Sequence, residues 1–307
     1  MGTQRGSRAR RIAWHRIRPD RAQRAADRRH RGQLPRSFAQ AARARVSYGP
    51  DRDWLIRFCP PEQAAALTAL FTVEREVSAS LRGELEHQVA HARLEWWLEE
   101  LTRLVEGAAR HPATRALAAA ASTQRRSPPD LRSLVEHVRV DLAGVAFLSR
   151  EELDQHLHAW GNSVFREVAL GAGAPPAMAE QLSSRAGAPV RELELLAEFS
   201  RHARAGRIYR PLGEPAEPHA RWQADPLGVA EIAELEARRR SLAQQICDAA
   251  SATTSASRPS LRVPLLWMGY AIERIGRAHP SALRRTLDSW RSAVTLSRGN
   301  LPRTLSR

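Results

Sequence analysis

Lysine is missing from this chain: all 48 basic side chains among its 307 residues are arginine. Together with abundant alanine, this points to a GC-rich coding sequence. It also raises the isoelectric point, because arginine keeps its proton far above neutral pH. Cysteine is scarce. Cys59 and Cys247 are too few for a disulfide framework, and their spacing fits no metal motif. A reducing, cytoplasmic setting is what such usage predicts. No apolar run reaches the roughly 18 residues needed to span a bilayer, and no secretory h-region is present. The N-terminal Met-Gly fails the myristoylation pattern because position 6 is Gly6. Strand-type alternation is nowhere sustained and no internal repeat occurs, so an all-α fold is predicted.

The charge is unevenly spread. Residues 1–50 hold fourteen arginines against two aspartates, a net of +12, which leaves +3 of the total +15 for residues 51–307. A segment so charged and so poor in apolar residues cannot bury a core, and it reads as a disordered arm. As a solvated tail it has no partner. As an electrostatic arm, with Ile12 and Trp14 to sit at an interface, it would touch the anionic inner face of a membrane. Nucleic acid is the least supported partner, since no basic patch interleaved with aromatics continues into the rest of the chain.

Beyond the arm the pattern is helical. Pro60 and Pro61 can open a helix, since its first positions need no bonded N–H. Glu62 then sits where the helix dipole favours a carboxylate. Ala66, Leu67, Leu70, Phe71 and Glu74 follow at helical spacing. Leu94, Trp97, Leu101 and Leu104 form an apolar stripe, so Trp96 and Trp97 read as a helix–helix contact. Asp130 is a cap for a helix over 131–142, and Ser149 to Glu152 is a capping box for the next, which runs to about Leu170. Gly161, inside that helix, would let a neighbouring helix or another group approach closely. Further helices are predicted over 177–205, 227–250, 264–277 and 281–296. In the second of these, 227–250, Leu227, Ile232, Leu235, Leu242 and Ile246 would face inward. The tail, 299–307, reads as too short and polar to contribute.

Three blocks carry a family resemblance. Phe58-Cys59-Pro60-Pro61-Glu62, followed by Ala69-Leu70-Phe71-Thr72-Val73-Glu74-Arg75-Glu76-Val77, resembles the first helical hairpin of the squalene/phytoene synthases. Leu94 to Leu101, with Gly107 and His111-Pro112-Ala113-Thr114-Arg115-Ala116-Leu117, resembles the sequel in order. Gly206, Arg207, Tyr209 and Pro211 set the register of a third block. More weakly, Asp141-Leu142 matches a family dipeptide, with His137 in place of its glycine. The resemblance implies an isoprenoid-synthase helical bundle over residues 51–298.

It also implies chemistry. In such a family, aspartates four apart on two facing helices hold magnesium, which neutralises a departing diphosphate; residues at i and i+4 share one helix face. Here the first motif falls on Ser78, Ala79 and Arg82, and the second on Glu198 and His202. A hydroxyl is a poor magnesium ligand, an arginine none, and histidine suits other metals. The resemblance therefore implies a non-catalytic member with no required cofactor, binding an isoprenoid, a lipid or a protein partner. The alternative is an active head-to-head prenyltransferase with a rearranged Mg2+ site on Glu74, Glu194 and Glu198. Arg75, Arg207 and Tyr209 would grip the diphosphate, or Arg82 and His202 would neutralise it without metal.

Overall fold

A computed structural model describes residues 52–81, 85–144, 147–211, 229–274 and 282–306, without the side chains of 229–231 and 282–285. Every regular element among them is helical. A 3-10 turn, Asp53–Phe58, leads into α1 (Pro61–Ser78), with Pro60 extended at the cap, Pro61 at the first position and Glu62 in the first turn, as the sequence predicts. Then come α2 (His87–Val105), α3 (Pro112–Thr123), α4 (Arg132–Ala143) and α5 (Arg150–Trp160). A π-helical turn, Gly161–Phe165, joins α5 to α6 (Arg166–Gly171). The remainder is α7 (Pro176–Ala197), α8 (Phe199–Arg204), α9 (Val229–Ser251), α10 (Arg262–Glu273) and α11 (Ala282–Ser297).

α1 buries a broad face, and the C-terminal half of α7 is buried nearly all round. In α1 the buried set is Ala66, Leu67, Ala69, Leu70, Phe71, Val73, Glu74 and Val77. In α7 burial runs almost unbroken from Ala186 to Leu196. A helix buried on every side lies inside a bundle rather than on its surface. α7 is flanked by α5, α9 and the π turn, and α1 by α3, α4 and α6. Glu74 of α1 and Glu192 and Glu194 of α7 are therefore held inside the protein.

The second resembling block is explained by one buried acid. Glu100, fully buried, accepts from the backbone N–H groups of Arg110 (2.7 Å) and His111 (2.7 Å), from the Thr114 hydroxyl (2.5 Å) and from Arg103 Nε (3.0 Å). It thereby satisfies open N–H groups ahead of α3, whose cap is His111. Despite burial, the Thr114, His111, Arg110 and Arg103 donors hold the Glu100 pKa below its usual 4.5. A depressed carboxylate stabilises the fold above its unfolded pKa, and that contribution disappears as pH falls through the lower folded value. Glu100→Gln is expected to cost about 1–2 kcal/mol at neutral pH by urea denaturation, and less in acid; an equal cost at both pH values would refute the ionised staple.

Several expectations are refined. Asp130 accepts from the backbone of Arg132 at 3.2 Å, although the helix starts one residue later than predicted. The Ser149 hydroxyl accepts from Glu152 N at 3.2 Å, and Glu152 answers by accepting from Leu148 N at 2.8 Å. Gly161 does admit a helix: a Cβ there would lie 3.0 Å from the backbone of Gly187 in α7. Ile232 is 42% exposed, unlike Leu235, Leu242 and Ile246, and Leu227 lies outside the described residues. The tail is not idle. Leu305 is fully buried in the main core, and Thr304 O accepts from the Cys247 thiol at 3.5 Å. Leu301 and Leu305, four apart, supplied an apolar face that a count of polar residues overlooks.

Candidate functional site

Both helices that should present metal ligands are distorted where the motifs fall. α1 stops at Ser78, and Ala79–Leu81 tightens into a 3-10 turn. Ser78 is half-buried, Ala79 is buried, and Arg82 lies outside the described residues. The expected single helix over 177–205 is interrupted: α7 ends at Ala197, Glu198 adopts φ −116 and ψ 22, and α8 begins at Phe199. Glu198 and His202 are thus not two steps along one continuous helix face.

One turn earlier on each helix, two carboxylates do converge. Glu74 of α1 and Glu194 of α7 are both buried, and the guanidinium of Arg52 lies between them. Arg52 donates to Glu194 through Nε at 3.2 Å and Nη2 at 2.6 Å, and its Nη1 pairs with Glu74 Oε2. Glu194 also accepts from Trp267 Nε1 at 2.7 Å. The Arg52 guanidinium lies 4.4 Å from the Trp267 ring centroid and 5.1 Å from that of Trp160. Such stacking suits a weakly hydrated planar cation. Burial opposes its charge, but Glu194 and then Glu74 outweigh burial and raise the Arg52 pKa further above its usual value.

These groups do not fit a magnesium ion as they stand. Magnesium asks for free oxygens in near-octahedral array, whereas the inward oxygens of Glu74 and Glu194 already accept from Arg52 and Trp267. Arg191 adds a second cation, 3.9 Å from Glu194 and stacked on Trp160. Glu198 accepts from Arg274 at 3.0 Å and pairs with Arg201. Arg75, expected to grip a diphosphate, instead pairs with Asp53 at 2.7 Å on the surface, where its side chain is 45% exposed. It does not join Arg207 and Tyr209. The reason is its place on α1, one residue round from the buried Glu74.

Tyr209 is fully enclosed. Its ring neighbours are Phe147, His156 and His202, and burial first, then Asp141, push the phenol well above its usual 10. His202 is held down at about 3, by burial first and then by Arg201, Arg191 and Arg207. It is therefore neutral at pH 7 and adds no positive charge for a diphosphate. Beside Tyr209 stand His137, Asp141 and His156, all buried. His156 carried no signal in the sequence reading. The His137–Asp141 spacing of four, on one face of α4, was the available clue.

A scan against protein-family models matches the squalene/phytoene synthase model over residues 46–298. The chain belongs to the squalene/phytoene synthase family. Among solved structures, this squalene/phytoene synthase family member is similar to the squalene synthase HpnC from Alicyclobacillus acidocaldarius. The TM-score is 0.56 at 22% identity, covering 82% of this chain and 96% of that one. That likeness establishes the all-α isoprenoid-synthase fold. Comparison with curated proteins finds no match. Among the described residues, no helix is long and apolar enough to cross a membrane.

Proposed function

We propose that this family member is a non-catalytic binder, in which an internal arginine has taken the position of a cation between the two central helices. The observation that carries the reading is Arg52, clamped between Glu74 and Glu194 beneath Trp267. Ionising a prenyl diphosphate needs strong charge neutralisation of the leaving group. Here the carboxylates that would recruit it are spent on a side chain. Support for an isoprenoid or lipid ligand comes from a surface groove of about 490 Å³. Phe58, Pro60 and Trp290 make it apolar, and Arg57, Arg262 and Arg298 edge it with positive charge, a combination suited to an anionic amphiphile.

The test is incubation with farnesyl or geranylgeranyl diphosphate and Mg2+, with release of pyrophosphate as the readout. No release above a protein-free control is expected, and Mg2+-dependent release would overturn the reading. A second reading, an active prenyltransferase, is favoured by the convergence of Glu74 and Glu194 itself, which would become a metal seat if Arg52 swung out. It requires that Glu194→Ala and Glu198→Ala abolish whatever turnover is measured.

A further inference from the structure

His137, Asp141 and His156 form a buried group with an internal conflict. Asp141 is four residues after His137 on α4, and His156 comes from the facing side of α5. Their ligand-type atoms all lie within 4.8 Å of one another. The two imidazole rings stack at 3.8 Å and 13°. His137 Nδ1 lies 3.2 Å from the backbone carbonyl of His156. A carbonyl can only accept, so Nδ1 carries the proton and Nε2 of a neutral ring is a bare lone pair. That lone pair faces Asp141 Oδ2 at 3.7 Å, acceptor against acceptor. His156 Nε2 is 3.2 Å from Asp141 Oδ1 but poorly aligned for a hydrogen bond. His137 Nε2, Asp141 Oδ2 and His156 Nε2 are all buried without a hydrogen-bond partner. Buried polar atoms left so are costly and call for an explanation.

We infer that His137, Asp141 and His156 are the ligands of a divalent transition-metal ion, zinc above all, that ties α4 to α5. Two imidazoles and a carboxylate are a familiar zinc or iron donor set and a poor one for magnesium. Tetrahedral zinc bonds of about 2.0–2.2 Å put neighbouring ligand atoms roughly 3.4 Å apart, close to the 3.2 Å from His156 Nε2 to Asp141 Oδ1; His137 Nε2 lies 3.7 Å from the other oxygen, Oδ2, and the two imidazoles would turn out of their stack to aim both lone pairs at one ion. The His137 Nδ1 contact to a carbonyl is the kind of support that fixes the tautomer of a metal-bound histidine. Tyr209, enclosed beside Asp141 and His156, closes the site on a further side. This inference is independent of whether the family reaction survives, because none of the three residues belongs to the Arg52 cluster.

The test starts from a control. His87 and His91 lie exposed with Nε2 atoms 3.0 Å apart and would hold zinc adventitiously. The work is therefore done on His87→Ala/His91→Ala protein, unfolded in EDTA, refolded, and dialysed against Zn2+, Mg2+ or neither. One zinc per chain by mass spectrometry and a zinc-dependent rise in Tm are expected, with no response to Mg2+. Asp141→Asn and His156→Gln should weaken zinc by more than the roughly 10–100-fold lost with a ligand's hydrogen-bond partner. Cobalt(II) loading of the parent should give visible d–d bands, which needs no variant to fold. A parent that retains no zinc, cobalt without those bands, or variants that retain zinc undiminished would each overturn the assignment.

Discussion

Arg52→Met is expected to destabilise the fold by about 3–5 kcal/mol, the usual consequence of stranding buried charge. Arg52 is 5% exposed, and Glu74 and Glu194 are 7% and 4% exposed, so water cannot replace the guanidinium. Methionine fills much of the same space and still contacts Trp160 and Trp267, so the loss reports charge rather than volume. Arg52→Met/Glu74→Gln/Glu194→Gln should recover most of it: no charge is left buried, and an amide oxygen at 194 still accepts from Trp267. Denaturation of the three proteins in urea decides the matter. A single variant that unfolds at the parent's midpoint would show that Arg52 does not fasten α1 to α7.

Gly161→Val is the other large effect, at or above the upper end of the roughly 1–3 kcal/mol typical of overpacking. A Cβ at Gly161 would meet Gly187 C at 3.0 Å, Ala188 N at 3.1 Å and Gly187 Cα at 3.1 Å. All three are backbone atoms of α7, which cannot rotate away as a side chain can. The contact is also bonded across, since the Gly161 carbonyl accepts from the Ser183 hydroxyl at 2.9 Å. The π turn at Gly161–Phe165 widens the helix just there. Forcing α5 from α7 would loosen Trp160 beneath Arg52 and Arg191, so near-UV circular dichroism should change along with the Tm. A valine variant as stable as the parent would refute the close crossing.

Helix positions were legible because they rest on local signals. Pro60-Pro61-Glu62, the Ser149–Glu152 capping box and the apolar spacing of α1 and α2 each predict an element that the structure contains. The site was legible only in outline. Ser78, Ala79, Glu198 and His202 are motif positions only in the register that the resemblance implies, and the breaks after Ser78 and at Glu198 carry no proline or glycine to announce them. Glu74 and Glu194 were named as carboxylates a metal might recruit. Nothing local says that Arg52 would reach both, because its contact with Glu194 joins residues 142 apart in the chain.

The amino-acid order alone determined the helical class and the family through its three blocks, since each depends on residue type and short spacing. The three-dimensional packing alone decided which cation the buried acids face. It also decided that His156 of α5 meets His137 and Asp141 of α4. Charges and lone pairs act through distance in space, and in a helical bundle that distance is set by how whole helices cross.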